Sequence, residues 1–284
     1  MVCAPALFLI GIGVHARFLQ GYFDFLAADP RSEQLILAYV PYMQDSIQFA
    51  SPSNRPELDE ARRAANRWIA GADSGDLKPL TSIAYEDTSS DGPKSEIFEV
   101  RRRIATRLIR GIADSAKNGN LHQAVSDGVV VLKLASVMKY SDFVSLFNCA
   151  TEQRRVLSLL EPYAGQLTGE DRRALAAAVP ALYRPPGTID KMVRRSSQLF
   201  LSWRERRGDE PLSIEDTHLM SEMPGLAEDG SLIAARQVHE RILASKDDHI
   251  PAYCSSLRLG MGAQEHLERE ALSVAKLINK SAPR

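Results

Sequence analysis

The sequence predicts an all-α fold in which antiparallel helical hairpins stack as an irregular bundle or a short α-solenoid. Three observations support this prediction. From residue 57 onward, apolar residues recur at every third or fourth position in successive segments, which is the spacing of one helix face. Short breaks separate the segments, so neighbouring helices are expected to run antiparallel. No run of strand length alternates between apolar and polar residues with hairpin turns at its ends.

The composition is that of an ordinary globular protein of 284 residues, of which 44% are hydrophobic and 25% are charged. The formal net charge is −1, so the chain as a whole has no electrostatic attraction to nucleic acid, and no nucleic-acid partner is expected. Cys3, Cys149 and Cys254 lack the spacing of a thiolate metal site. Two buried unpaired thiols are the favoured interpretation of Cys149 and Cys254. Removal of the N-terminus would leave these two cysteines as a possible pair.

Residues 1–26 are predicted to form a hydrophobic helix that serves as an anchor or a signal segment. The run Val2–Val14 contains no charged residue, and possible membrane association is assigned to residues 2–26. The run is shorter than the roughly 20 residues of a spanning helix. It has the length of the apolar part of a signal peptide, with a cleavage site after Ala16, but no Lys or Arg precedes it. The alternative is a buried helix in the core of a cytosolic protein.

Residues 27–95 are predicted to form an irregular region of helices and loops. A short helix is expected over residues 33–40, with a loop from Pro41 onward, because proline removes a helix hydrogen bond. A second helix, over residues 57–70, places Ala61, Ala65 and Trp68 on one side. Residues 71–95 are rich in Gly, Ser, Asp and Pro, which indicates a boundary before a helical domain of residues 96–284.

The best-defined part of that domain is a helical hairpin around the turn Asn118-Gly119-Asn120. The apolar stripe of the first helix includes Ile97, Ile104 and Ile112. Gly119 is expected to adopt the left-handed conformation that ends a helix, and Asn120 is expected to cap the next one. The second helix covers residues 121–138 and is apolar on most sides from Gly128 onward. It is therefore predicted to lie between other helices.

Further helices are expected in the second half of the chain. A helix that starts after Ser141 is predicted to place Phe143, Phe147 and Leu157 on its inner side. Thr168 and Asp171 have the spacing of a capping box at the start of the next helix. Three later helical patterns cover residues 189–206, 231–246 and 263–280.

Three segments carry a resemblance to known proteins: "RLIRGIADSAKNGNLHQAVSDGVVVLKLASVM", "SLFNCATEQRRVLSLL" and "LTGEDRRALAAAVPAL". From Arg102 to Leu182 the chain resembles uncharacterised helical proteins of planctomycete-like and armatimonad-like bacteria. The resemblance implies an N-terminal hydrophobic segment followed by an all-helical domain, and it assigns no functional residue. The hairpin is also similar to half of a tetratricopeptide unit through Ala116, Gly119 and Ala124. The chain lacks the repeat of about 34 residues that defines that family.

The motifs of known catalytic and metal sites are incomplete in this sequence. Glu215 and His218 have the Glu-x-x-His spacing of di-iron helices, but no second such pair exists. His239 and Glu240 are followed by Leu243 where a zinc-binding His-Glu-x-x-His motif has its second histidine. No catalytic, cofactor-binding or metal-binding residue is therefore predicted, and no cofactor is expected.

Two groups of basic residues are the candidate partner-binding residues. They are Arg103, Arg107, Arg110 and Lys117 in the first group and Arg194 and Arg195 in the second. The first group lies mostly on the side of its helix that faces away from the apolar stripe. It is either a solvated outer face or a contact for an acidic partner or lipid headgroups.

These patterns favour a non-enzymatic helical interaction or scaffold domain with a protein partner. Because of the hydrophobic N-terminus, we expect it at the bacterial cell envelope, either anchored in the membrane or exported. Two alternatives stay open at this point. One is an enzyme with a dispersed site of histidines and carboxylates, and the other is a cytosolic helical adaptor.

Overall fold

The computed structural model describes residues 30–49, 57–77, 93–141, 143–182, 212–218, 240, 265 and 267–274. The α-helices with defined bounds are α1 (Pro30–Asp45), α2 (Leu58–Asp73), α3 (Pro93–Lys117), α4 (Leu121–Met138), α5 (Phe143–Leu160) and α6 (Gly169–Ala178). Short 3-10 helices cover Ile47–Phe49, Glu161–Gln166 and Val179–Leu182. No strand occurs within these described ranges, and the helices pack against one another. The predicted all-α bundle is confirmed for this part of the chain.

Helix α4 is the central element of the described bundle. It packs against α2, α3, α5 and α6, and Leu132 in its middle is fully buried. Gly128 permits the close contact with α5, because a Cβ atom at this position would lie 3.1 Å from the Leu160 side chain and 3.2 Å from that of Val156. The prediction that this apolar helix lies between other helices is confirmed.

The hairpin between α3 and α4 has the predicted turn. Gly119 has a φ of +78°, which is the left-handed conformation that glycine adopts without steric cost. The backbone N–H of Gly119 donates to the Ala116 carbonyl at 3.1 Å, and the Asn120 N–H donates to the Ser115 carbonyl at 2.9 Å. The Asn120 side chain accepts a hydrogen bond from the Gln123 N–H at 3.4 Å. These bonds satisfy backbone groups at both helix ends, so the two helices fold back on each other within three residues.

Helix α1 continues past the position where it was predicted to end. The helix extends to Asp45 with Pro41 inside it. Tyr39 and Met43, on either side of the proline, are both buried. The ring of Tyr39 packs edge-on against Trp68, with 5.8 Å between the ring centroids. Packing of α1 on α2 therefore outweighs the hydrogen bond that Pro41 cannot donate.

Among the described side chains, the inner side of α5 differs from the prediction at one residue, and the side chain of Phe143 lies outside the described part. Phe147 is 38% exposed, so its predicted inward position is wrong, and the neighbouring Leu146 is fully buried instead. Leu157 is buried as predicted. In α6 the capping box is confirmed, because Thr168 and Asp171 exchange hydrogen bonds between side chain and backbone, both 3.1 Å long.

Several predicted segments lie outside the described residues. These are residues 1–26, 189–206 and nearly all of 231–246. Of the predicted helix 263–280, residues 267–274 are helical, with Leu267, Ala271 and Val274 buried. Within the residues searched, Leu121–Met138 alone is long and apolar enough to cross a membrane, and the core helix of a soluble protein meets the same criterion.

Candidate functional site

The first predicted group of basic residues lies on α3. Arg103, Arg110 and Lys117 are seven residues apart, so they lie nearly on one line along this helix. At 1.5 Å per residue the line is about 21 Å long. The opposite side of the helix, which includes Ile104 and Leu108, is fully buried. We call these three basic residues the α3 ridge.

Arg103 is the most constrained residue of the α3 ridge. Its Nε donates to the Glu99 carboxylate at 2.5 Å, and its Nη1 donates to the Phe49 carbonyl at 3.2 Å. Glu99 also accepts two hydrogen bonds from Arg102, at 2.8 and 2.9 Å. Arg103 therefore has a fixed position, and part of its charge is compensated within the protein.

The other basic residues of α3 differ in their exposure. Arg110 and Lys117 are exposed, and neither side chain makes a hydrogen bond or an ion pair with another described residue. Arg107 is half-buried and interacts with neighbouring groups. Asp114 is exposed between the two unpaired cations. The second predicted group, Arg194 and Arg195, lies outside the described residues.

A buried ion pair that the sequence analysis missed connects α3 to α5. The Arg101 guanidinium donates to both oxygens of Glu152, at 2.6 and 3.0 Å, and only 1% of the arginine side chain is exposed. Burial lowers the pKa of Arg101. The nearby Cys149 and Glu152 raise the pKa by more than burial lowers it, so the pKa lies above its usual value. Arg101 therefore stays charged and links the two helices.

A second missed ion pair connects α2 to α4. Arg62 donates from Nε and Nη2 to the two oxygens of Asp127, at 2.7 and 2.8 Å. Gln123 donates to the same carboxylate at 3.0 Å. The hydrogen bonds from Arg62 to Asp127, with a smaller contribution from Asp59, raise the pKa of Arg62 despite its partial burial. Asp127 is buried with its charge matched by a cation from a different helix.

Lys139, at the C-terminal end of α4, is also fully buried. Its Nζ donates to the Leu182 carbonyl at 2.8 Å and thereby connects α4 to the last 3-10 helix. Burial lowers the pKa of Lys139 to about 8, against the opposing electrostatic effects of Cys149 and Glu268. The buried Gln153 donates from Nε2 to the Leu132 carbonyl at 3.0 Å, which adds a link between α4 and α5.

A histidine–aspartate contact joins the first turns of α4 and α6. His122 Nδ1 lies 2.8 Å from an oxygen of Asp171, and the histidine is 72% exposed while the carboxylate is 1% exposed. Burial raises the pKa of Asp171, but hydrogen bonds from Thr168 and His122 outweigh this effect and lower it. Asp171 is therefore an ionised carboxylate that joins two helix N-termini.

The predicted histidine and carboxylate pairs are not assembled into a site in the described structure. Glu215 and His218 are both exposed on the helical segment 214–218. Among the residues described, no group of three or more His, Cys, Asp or Glu side chains could hold a metal ion. Of the pair His239 and Glu240, the histidine lies outside the described ranges.

One signal in the sequence pointed to the buried arginine. Arg101 lies four residues after Ile97 and three before Ile104, which places it within the apolar stripe of α3. A charged residue at such a position requires a buried partner. Glu152 is 51 residues away, so the pairing itself is evident only in the folded chain.

No protein-family model, no curated protein and no solved structure matches the chain. The resemblance to helical bacterial proteins and the tetratricopeptide-like packing of the hairpin stay predictions.

Proposed function

We propose that this chain is a non-enzymatic helical interaction domain that binds a protein partner through the outer face of α3. The proposal includes attachment to, or export across, a bacterial membrane through residues 1–26. The membrane part rests on the uncharged run Val2–Val14. The interaction part rests on the distribution of charged groups in the described bundle.

One observation carries the interaction part of the proposal. The buried ionisable groups Arg101, Asp127, Lys139 and Asp171 each bind a group on another segment of the bundle. Such cross-links fix the arrangement of helices. Arg101 and Asp127 are paired with opposite charges, and hydrogen bonds hold Asp171 and Lys139. Arg110 and Lys117 are exposed on α3 without a partner among the described residues. The uncompensated charge on this helix therefore faces outward, where a second molecule has access to it.

Affinity capture of the full-length protein from native membranes tests this proposal. A fractionation of the same cells reports whether the protein is with the membrane, exported or cytosolic. We expect recovery of one protein in a fixed ratio to the bait, with a yield that falls as salt is added, because exposed charges are screened. Recovery of no partner above the background of an unrelated helical bait would contradict the interaction proposal. An uncleaved cytosolic protein would contradict the membrane attachment alone.

A further inference from the structure

The spacing of the α3 ridge suggests the shape of the molecule that it binds. Arg103, Arg110 and Lys117 repeat every seven residues, or about 10.5 Å, nearly along one line. In a second helix that lies along α3, residues with a seven-residue repeat occur at the same interval along the contact. We propose that the α3 ridge docks an acidic helix of a partner protein whose carboxylates have this seven-residue spacing. This inference rests on the proposed function and adds the chemistry of the partner.

The side chains on one side of the ridge leave room for such a helix. Thr106 and Ala113 are also seven residues apart, and both are half-buried at the edge of the outer face. Packed helices lie with their axes about 8–10 Å apart, depending on the side chains between them. Small residues at these two positions allow an approach at the short end of that range. The cations of the α3 ridge can then form ion pairs with carboxylates of the partner helix beside the line where the two helices pack.

Arg103 contributes a fixed charge at one end of the line. Its hydrogen bonds to Glu99 and to the Phe49 carbonyl hold the guanidinium in place before any partner arrives. A preorganised cation loses less side-chain entropy on binding than a mobile one. Arg110 and Lys117 then supply the uncompensated charge. The three positions together fix how the partner helix is aligned along α3.

The same residues argue for a protein helix and against a lipid surface as the occupant. A membrane-binding helix inserts large apolar side chains next to its basic residues. The large hydrophobic residues that are exposed in the described structure lie on other segments; they are Leu37, Phe147, Ile214 and Leu272. The exposed Asp114 lies between Arg110 and Lys117, and it would repel lipid phosphates. A discrete partner can place a neutral or basic residue opposite Asp114, whereas a uniformly anionic surface cannot.

Fluorescence anisotropy with the full-length protein in detergent tests the inference at low ionic strength. The probes are two labelled helical peptides of identical composition, one with glutamates every seven residues and one with the same glutamates in scrambled positions. Arg110→Ala/Lys117→Ala is the test variant. The matched control is Arg63→Ala/Lys133→Ala, because it removes the same charge from exposed positions on α2 and α4.

We expect the spaced peptide to bind more tightly than the scrambled one. Loss of two exposed ion pairs should weaken binding of the spaced peptide about tenfold in the test variant and less than twofold in the control. A charge exchange gives a second test that does not depend on loss of binding. Arg110→Glu/Lys117→Glu should bind a peptide whose spaced glutamates are replaced by lysines, and the unchanged protein should not.

Three results would overturn the inference. They are equal binding of the two peptides, no binding of either, and tighter binding of vesicles that contain phosphatidylserine than of the spaced peptide. The proposed function is judged separately by capture from membranes. A captured partner together with failed peptide binding removes only the acidic-helix inference, whereas peptide binding without any captured partner removes the proposed function.

Discussion

Replacement of Lys139 by methionine should stabilise the protein at neutral pH. The lysine is fully buried, and burial lowers the pKa of its ammonium group from 10.5 to about 8. Methionine has a similar length and no charge, and it adapts to irregular spaces in a core. The substitution removes the cost of the buried charge together with the hydrogen bond to the Leu182 carbonyl.

The magnitude of the effect follows from the two values of the pKa. The difference between 10.5 and about 8 corresponds to a free-energy cost of about 3 kcal/mol for the charged lysine in the folded state. Loss of the hydrogen bond leaves the Leu182 carbonyl without this donor, which costs about 1–2 kcal/mol. The variant Lys139→Met should therefore be more stable than the unchanged protein by about 1–2 kcal/mol at pH 7.

The sign of the effect should change with pH. Between about pH 8 and 10.5 the unfolded chain holds the Lys139 proton while the folded protein releases it, so the unchanged protein gains stability as the pH rises. The methionine variant lacks this gain. Above that window the neutral lysine keeps its hydrogen bond without a charging cost, and the variant should be less stable by about 1–2 kcal/mol.

Urea unfolding followed by circular dichroism measures both proteins at several pH values. The difference between the two proteins isolates Lys139, because all other titrating groups are shared. Two stability curves that cross between pH 8 and 10.5 would confirm the reasoning. A variant that is less stable by the same amount at every pH would refute it, since the ammonium would then carry no cost of burial.

Three further predictions concern the fold and are tested by the free energy of unfolding. Leu132→Ala should cost about 2–5 kcal/mol, because this fully buried side chain would leave a cavity in the central helix; a smaller loss would mean that α4 is not central. Gly119→Val should cost about 1 kcal/mol or somewhat more through backbone strain alone, since a Cβ atom there meets no other atom within 4 Å; unchanged stability would contradict the left-handed turn. Glu152→Gln should cost about 3 kcal/mol or more, because it leaves the Arg101 charge buried without compensation, and an unchanged melting curve would mean that Arg101 reaches water.

Local signals in the sequence were sufficient for the helices with strong caps and periodicity. The bounds of Leu121–Met138, the turn at Gly119 and the capping box of Thr168 and Asp171 all agree with the prediction. These features depend on residues within a few positions of one another. The backbone conformation and its nearest side chains determine them before any distant contact forms.

Features that depend on distant contacts were not predictable from the sequence. Helix α1 continues through Pro41 because Tyr39 packs on Trp68, which lies on another helix. The inward residue of α5 is Leu146 and not Phe147, since the direction of the core is set by its neighbours. The candidate site also contains one feature that was predictable from local sequence and one that depends on a distant contact. The outer position of Arg110 follows from the apolar stripe, whereas the contact of Arg103 with the Phe49 carbonyl joins residues 54 positions apart.

The central claim is that the ion pairs Arg101–Glu152 and Arg62–Asp127 link the described helices and that partner binding depends on the α3 ridge. The most direct test compares partner recovery from native membranes for Arg110→Ala/Lys117→Ala and for Arg63→Ala/Lys133→Ala at equal bait levels. We predict that the first variant loses the partner and the second retains it, with the stability of both within about 0.5 kcal/mol of the unchanged protein. Equal recovery by the two variants, or loss of the partner only from the second, would contradict the claim.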